Sequence, residues 1–251
     1  MIKASFLATA FLLFAVLLPT FTQALHHKPE QIHIAFGKTS DLVAVQWSTR
    51  YHEQHPQHPQ QQQLEEQSQP RSFVRWGKDP TQLDHVAEGL SVVFVDGGKM
   101  KRRQQHHIVN MTGLEASTRY HYQVGDETFG SDGLSQMYSF KTAPDGVTLA
   151  KDMPIRLAVY GDMGVDRNGS TVMRHLIKHL KRDEDYFDGV VHVGDFAYDM
   201  EEREGVQGDL FMRQIEPIAA RLPYMTSMGN HEKVRRRGGR EGGREGGLGL
   251  K

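Results

Sequence analysis

Three polar clusters each follow a short apolar run, and this ordered trio constrains the fold more than any other feature of the chain. They are Gly161-Asp162-Met163-Gly164, Gly194-Asp195-Phe196-Ala197-Tyr198 and Gly229-Asn230-His231-Glu232. Asp162 and Asp195 stand 33 residues apart, and Asp195 and Asn230 stand 35 apart. Each interval is long enough for one crossover between parallel strands. The runs Ile155–Tyr160, Gly189–Val193 and Tyr224–Met228 therefore read as three buried parallel strands. Between the first two, Val172, Met173, Leu176, Ile177 and Leu180 make one apolar stripe of a helix that Ser170 is placed to cap. Between the last two, Leu210–Arg221 reads as a helix kinked or broken near Pro217. In an open α/β sheet, ligands gather at the carboxyl ends of the strands, so the three clusters are expected to converge. A Gly-Asp pair alone carries little weight, and Gly125-Asp126 and Gly208-Asp209 read as turns.

The chain before this unit has a different rhythm. Seven short β-like runs occupy Ile32–Gly37, Leu42–Arg50, Ser72–Lys78, Val86–Asp96, His106–Thr112, Tyr120–Val124 and Met137–Thr142. Alternation places Val43, Val45 and Trp47 on one face, Val74 and Trp76 on another, and Tyr120, Tyr122 and Val124 on a third. That pattern predicts a β-sandwich, with Leu114 and Tyr120 spaced as in a tyrosine corner. The Gln- and His-Pro-rich stretch 52–70 has too few apolar residues to bury and reads as a solvated loop.

The two ends are unlike the middle. Residues 1–24 carry one charge, Lys3, then an apolar run from Ala4 to Leu18 and a small-residue Thr22-Gln23-Ala24 site, the pattern of a secretory signal peptide. Residues 233–251 are an Arg/Gly/Glu repeat with no periodicity for a buried element, and read as a disordered tail. Without these ends the charge of residues 25–232 is −7, which argues against a nucleic-acid partner. The absence of cysteine excludes a disulfide scaffold and any thiolate metal site. No other apolar run approaches the length of a membrane span, so no membrane association is expected after signal removal. The sequons Asn110-Met111-Thr112 and Asn168-Gly169-Ser170 suit a secreted, extracellular glycoprotein.

Two carboxylates, a phenol, an amide and an imidazole at one sheet edge make an oxygen-rich, negative pocket suited to a divalent or trivalent pair of ions. Asp195 is central and can bridge, with Asp162 and Asn230 on opposite sides. A phenol titrates near pH 10, so a phenolate ligand at neutrality costs about 4 kcal/mol, which a trivalent ion offsets more readily than Mg2+. Tyr198 is then either a ligand for ferric iron or a ring packed beside its loop. His192, within an apolar strand, reads as a buried, hydrogen-bonded core histidine rather than a ligand.

The runs Gly189 to Asp199, Phe211 through Ile215-Glu216-Pro217, and Gly229-Asn230-His231-Glu232 resemble the purple acid phosphatases, a family of metallophosphoesterases. Pro29-Glu30-Gln31-Ile32-His33 and Gly113-Leu114 through Tyr120 resemble the fibronectin-III-like N-terminal domain of that family. The resemblance covers roughly residues 28 to 232. It implies a fibronectin-III-like β-sandwich over 28–145 and an incomplete calcineurin-like α/β domain over 154–232. It implies that Asp162 binds Fe3+, Asp195 bridges two metals, Tyr198 supplies the phenolate, and Asn230 binds a second ion, Zn2+, Fe2+ or Mn2+. His231 would face the phosphate of a phosphate monoester, which a metal-activated hydroxide attacks. The resemblance also implies two later motifs, Val-x-x-His and Gly-His-x-His, that complete the ligand set. This chain has no histidine after His231. The expectation is a chain truncated after the third motif, weakly active or inactive; the alternative is a non-catalytic secreted sandwich that binds a partner, or a pseudoenzyme.

Overall fold

In the computed structural model, residues 27–50, 70–144, 155–165 and 167–232 are described. The expected signal peptide, nearly all of the Gln-rich loop and the Arg/Gly/Glu tail lie outside them. So does the side chain of Asn168.

Eight strands build the first unit: β1 (Glu30–Phe36), β2 (Val43–Arg50), β3 (Phe73–Gly77), β4 (His85–Glu88), β5 (Leu90–Val95), β6 (Arg103–Met111), β7 (Arg119–Gly125) and β8 (Tyr138–Lys141). They form two four-stranded sheets of order β1-β2-β6-β5 and β4-β3-β7-β8, all pairs antiparallel. The inward positions of both sheets, among them Ile34, Val45, Trp47, Val74, Tyr122 and Phe140, make one core. The sandwich is as expected, with one correction. The run Val86–Asp96 is two strands in different sheets: β4 pairs β3, and β5 pairs β6. The change of sheet falls at Gly89, whose N–H donates to Ser72 O at 2.9 Å and where a Cβ would stand 2.0 Å from Ile108 O. A side chain does not fit that crossing, whereas alternation reads straight through it. Tyr120 forms the expected corner, its hydroxyl accepting from the Glu115 N–H at 3.0 Å. Asp126 turns the chain as expected, accepting from the Thr128 N–H at 3.0 Å and the Arg71 N–H at 2.8 Å.

The second unit runs β9 (Leu157–Tyr160), α1 (Arg167–Arg182), β10 (Gly189–His192), α2 (Val206–Ala219) and β11 (Tyr224–Thr226). The strands are parallel in the order β11-β10-β9. Each new strand adds on the same side of the last, and right-handed crossovers then put both helices on the same face. That face holds the second core, with Met173 and Leu176 from α1, Phe211, Ile215 and Ile218 from α2, and Ala158, Val190 and Tyr224 from the strands. The opposite face leaves Val159 62 % and Val193 51 % exposed, with Leu157 and Met225 beside them. The expectation of strands buried throughout is corrected accordingly. Apolar runs mark strands that could be covered on both faces, not what covers them.

Three local expectations also change. Ser170 lies inside α1, not at its cap, and its hydroxyl reaches Gln214 Oε1 at 3.5 Å. Helix α2 starts ahead of Leu210, so Gly208-Asp209 is its first turn and not a loop turn. It also runs through Pro217 without a break. A proline this close to the last turn forfeits one hydrogen bond, and buried Ile215 and Ile218 on either side hold the turn against the core. Among the described residues, no helix is long and apolar enough to cross a membrane.

The two units share a seam. Ala220, just past α2, belongs to the sandwich core, and its carbonyl accepts from Tyr122 Oη at 2.6 Å. Glu216 accepts from Tyr138 Oη at 2.5 Å and the Gln31 N–H at 2.7 Å, and Arg213 pairs with Glu30 at 2.9 Å.

Candidate metal centre

The three polar clusters are the loops that leave the carboxyl ends of β9, β10 and β11, and their backbones interlock. Asp162 N–H donates to Gly194 O at 3.2 Å, Met163 N–H to Asp195 O at 3.3 Å and Gly164 N–H to Phe196 O at 2.8 Å. The chain leaves β9 and β10 by sharp turns. Asp162, Asp195, Tyr198 and Asp199 have φ of 51°, 52°, 52° and 72°. Four side-chain-bearing residues in the left-handed region are a cost that the surrounding contacts must hold in place, and such residues concentrate at functional sites.

Glu232 supplies much of that hold. Its Oε2 accepts from the Gly229 N–H at 2.7 Å and the Asp195 N–H at 2.9 Å, and its Oε1 from the Phe196 N–H at 2.9 Å. One carboxylate thus ties the third loop to the second. Gly229 is where they come closest, since a Cβ there would lie 2.2 Å from Asp195 Oδ1. That same oxygen accepts from the His231 N–H at 3.0 Å.

Around this scaffold, Tyr198 Oη donates to Asp162 Oδ1 at 3.1 Å, spanning the first and second loops. The Tyr198 ring meets the His231 ring edge-on, with centroids 4.8 Å apart. His231 Nδ1 lies 3.1 Å from Asp199 Oδ1. That hydrogen bond, with the charges of Asp195, Asp199 and Glu232, raises the imidazole pKa above its ordinary value. Asn230 is exposed in the same loop. Beneath the rim, His192 is fully buried with Nδ1 2.9 Å from Tyr224 Oη, the core histidine that the sequence implied. Burial lowers its pKa to about 4.

All five residues expected at the site therefore stand on three adjoining loops. Tyr198 meets Asp162 and His231 directly, and Asp195 meets His231 through the backbone. Among the described residues, no three His, Asp or Glu side chains close on one point as a metal cage. Two contributors were not assigned from sequence: Glu232, whose place in the Gly-Asn-His-Glu run was the available signal, and Asp199, for which pattern gave none.

A two-sheet sandwich is followed by a parallel unit with Gly-Asp, Gly-Asp and Gly-Asn-His-Glu at its strand ends, and two family models divide the chain at the same place. Residues 29–142 match the family model of the purple acid phosphatase N-terminal domain, and residues 155–248 that of the calcineurin-like phosphoesterases. The chain is 36% identical over 211 residues to acid phosphatase type 7 of Mus musculus, covering 83% of this chain and 41% of that protein. It is also 36% identical over 208 residues to the Homo sapiens protein of the same name, covering 82% and 40%. The chain belongs to the purple acid phosphatase family, and it spans about two fifths of the length of these relatives. The structure of a purple acid phosphatase from yellow lupin (Lupinus luteus) seeds shares the fold, with a TM-score of 0.56 at 24% identity over 82% of this chain and 36% of that one.

Proposed function

We propose that the loop rim at the ends of β9, β10 and β11 is the metal-holding part of an acid phosphatase site for phosphate monoesters. The observation that carries this reading is the Tyr198–Asp162 hydrogen bond at 3.1 Å, made by two side chains whose backbones are both left-handed. A phenol and a carboxylate held together at strained positions, with Asp195 on the adjoining loop, fit one hard cation. Fe3+ is the ion whose charge best offsets the loss of the phenol proton. Asp195 and Asn230 remain as donors for a second ion, Zn2+, Fe2+ or Mn2+. One of these two donors is neutral and the other is shared, so the chain's own donors hold that ion weakly.

Bound there, the ions would supply positive charge to screen the phosphate oxygens. The chain's own residues do the rest. Asp199 occupies Nδ1 of His231 and favours the imidazolium in mild acid, leaving Nε2–H to donate to a phosphate oxygen or to protonate the departing alkoxide. Glu232 keeps Asp195 in place through three backbone amides. A secreted glycoprotein is part of the same reading: Asn110 is exposed on β6, where a glycan would stand clear of the core. The test is a ferric titration of the purified chain followed in the visible. A phenolate-to-iron absorption band is expected, lost in Tyr198→Phe and weakened in Asp195→Ala. A band that survives Tyr198→Phe would exclude the ligand set.

A further inference from the structure

The segment that carries Tyr198 and Asp199 is backbone-strained well beyond those two residues. Arg203, Glu204 and Gly205 also have positive φ, at 55°, 59° and 78°, immediately before α2. Its internal bonds are local turns: Glu202 N–H to Asp199 O at 2.9 Å, Gly205 N–H to Glu201 O at 3.1 Å, Val206 N–H to Arg203 O at 3.3 Å, Gln207 N–H to Glu202 O at 3.3 Å and Gly208 N–H to Met200 O at 3.0 Å. A run of this kind persists only where the surroundings over-determine it. The β5–β6 turn of the sandwich is that surrounding. Arg102 Nη1 donates to Glu204 O at 2.7 Å, while its Nη2 pairs with the Asp209 carboxylate. The Met100 N–H donates to Glu204 Oε2 at 3.1 Å. A Cβ on Gly205 would stand 2.0 Å from Asp96 Oδ2, so the turn is pressed directly against the loop. Asp209 is itself fixed by Gln104 Nε2 at 2.7 Å and Gln31 Nε2 at 3.2 Å, both from the sandwich.

We infer that Arg102 is a positioning residue for the candidate metal centre, by which the β-sandwich holds the Tyr198–Gly205 loop in its strained form and so sets Tyr198 and Asp199. The inference rests on the reading of Tyr198 as a ligand only for its metal consequence; the hold on the loop stands without it. One arginine spans both fixed points, the carbonyl at the end of the strained run and the carboxylate in the first turn of α2. Without it the sandwich keeps on this run only the Met100–Glu204 bond and the packing of Asp96 on Gly205, and the left-handed residues lose the two contacts that tie them to the start of α2.

The experiment compares full-length wild type, Arg102→Ala, Arg102→Lys and Glu204→Ala by amide hydrogen exchange without metal and by ferric titration. In Arg102→Ala, the Glu202, Gly205 and Gly208 amides are expected to exchange about tenfold faster, with β2 and β6 unchanged. Ferric affinity is expected to fall by a similar factor. Arg102→Lys, which can keep one of the two contacts, should fall between. Loop exchange and ferric affinity both equal to wild type in Arg102→Ala would overturn the inference. If Arg102→Ala does not fold, Arg102→Lys decides: loop exchange faster than wild type supports the hold, and unchanged exchange overturns it; Glu204→Ala, which leaves both Arg102 contacts in place, should raise loop exchange less than Arg102→Ala does. A wild-type chain that gives no phenolate band would sink the ligand reading alone, and the exchange comparison would still decide the role of Arg102.

Discussion

Among the described residues, burial lowers the pKa of His33, His106, His107 and His192, and the last two, lowered to about 4, act most against stability in acid. His107 sits in the sandwich core between Thr49 Oγ1 at 3.0 Å and Ser72 Oγ at 2.9 Å, stacked on Trp47. Its pKa, like that of His192, is lowered to about 4, chiefly by burial. The unfolded chain binds these protons near pH 6.5, so their contribution is complete above that pH. It is lost as the pH falls from there through about 4, by about 3 kcal/mol for each imidazole. Urea midpoints should drop across this window, and His192→Phe should flatten the drop by roughly half of that sum. A midpoint that does not change between pH 7 and pH 4.5 would refute the assignment. At the rim, Gly229→Ala forces a methyl group onto Asp195 Oδ1 and is expected to cost about 2 kcal/mol, with weaker ferric binding, measured by melting and titration. Gly161, Gly194 and Gly229 with Asp162 and Asp195 were legible in sequence because each follows an apolar run at a crossover's spacing. The roles of Glu232 and Asp199 were not, since each acts on a backbone or ring that only the folded loops bring near.

At the scale of elements, the split between β4 and β5 joins the two sheets of the sandwich. Gly89→Ala sets a Cβ against Ile108 O and is expected to destabilise by about 1–3 kcal/mol, read from a chemical-denaturation midpoint. Helix α2 shows why element boundaries escaped the pattern. Its apolar stripe begins at Leu210, but the helix begins at Val206, because Asp209 in the first turn is satisfied by Arg102, Gln104 and Gln31 from the sandwich. Periodicity reports the face turned to the core and is silent on polar turns that a distant strand completes.

For the molecule as a whole, the seam makes α2 part of both units. The segment 28–145, whose pattern suggested an independent domain, is expected to survive limited proteolysis but to unfold at lower urea than the intact chain. Alone it leaves the hydroxyls of Tyr122 and Tyr138 and the Gln31 N–H without Ala220 and Glu216. A segment as stable alone as in the chain would show that the seam contributes nothing. The chain, reconstituted with ferric iron and zinc, is expected to hydrolyse p-nitrophenyl phosphate near background between about pH 4 and 7, because among the described residues of the site only Asp195 and Asn230 remain for the second ion. Turnover well above background that Asp195→Ala abolishes would refute this.

Local chemistry decided much before any folding. The two rhythms of apolar residues set a sandwich before a parallel unit, because strand and helix faces impose periods of two and 3.6 on any chain that buries them. Gly-Asp and Gly-Asn pairs after apolar runs, at near-regular intervals, placed Asp162, Asp195 and Asn230 at strand ends, and the apolar setting of His192 marked it for the core. Tertiary structure alone decided which sheet β4 and β5 join, which face of the parallel sheet the helices cover, and that a turn of the sandwich holds the loop of Tyr198. Those outcomes depend on contacts between residues far apart in the chain, from Leu90 with Ile108 to Arg102 with Glu204 and Asp209. Their energies depend on distance in space, to which spacing along the chain gives no guide.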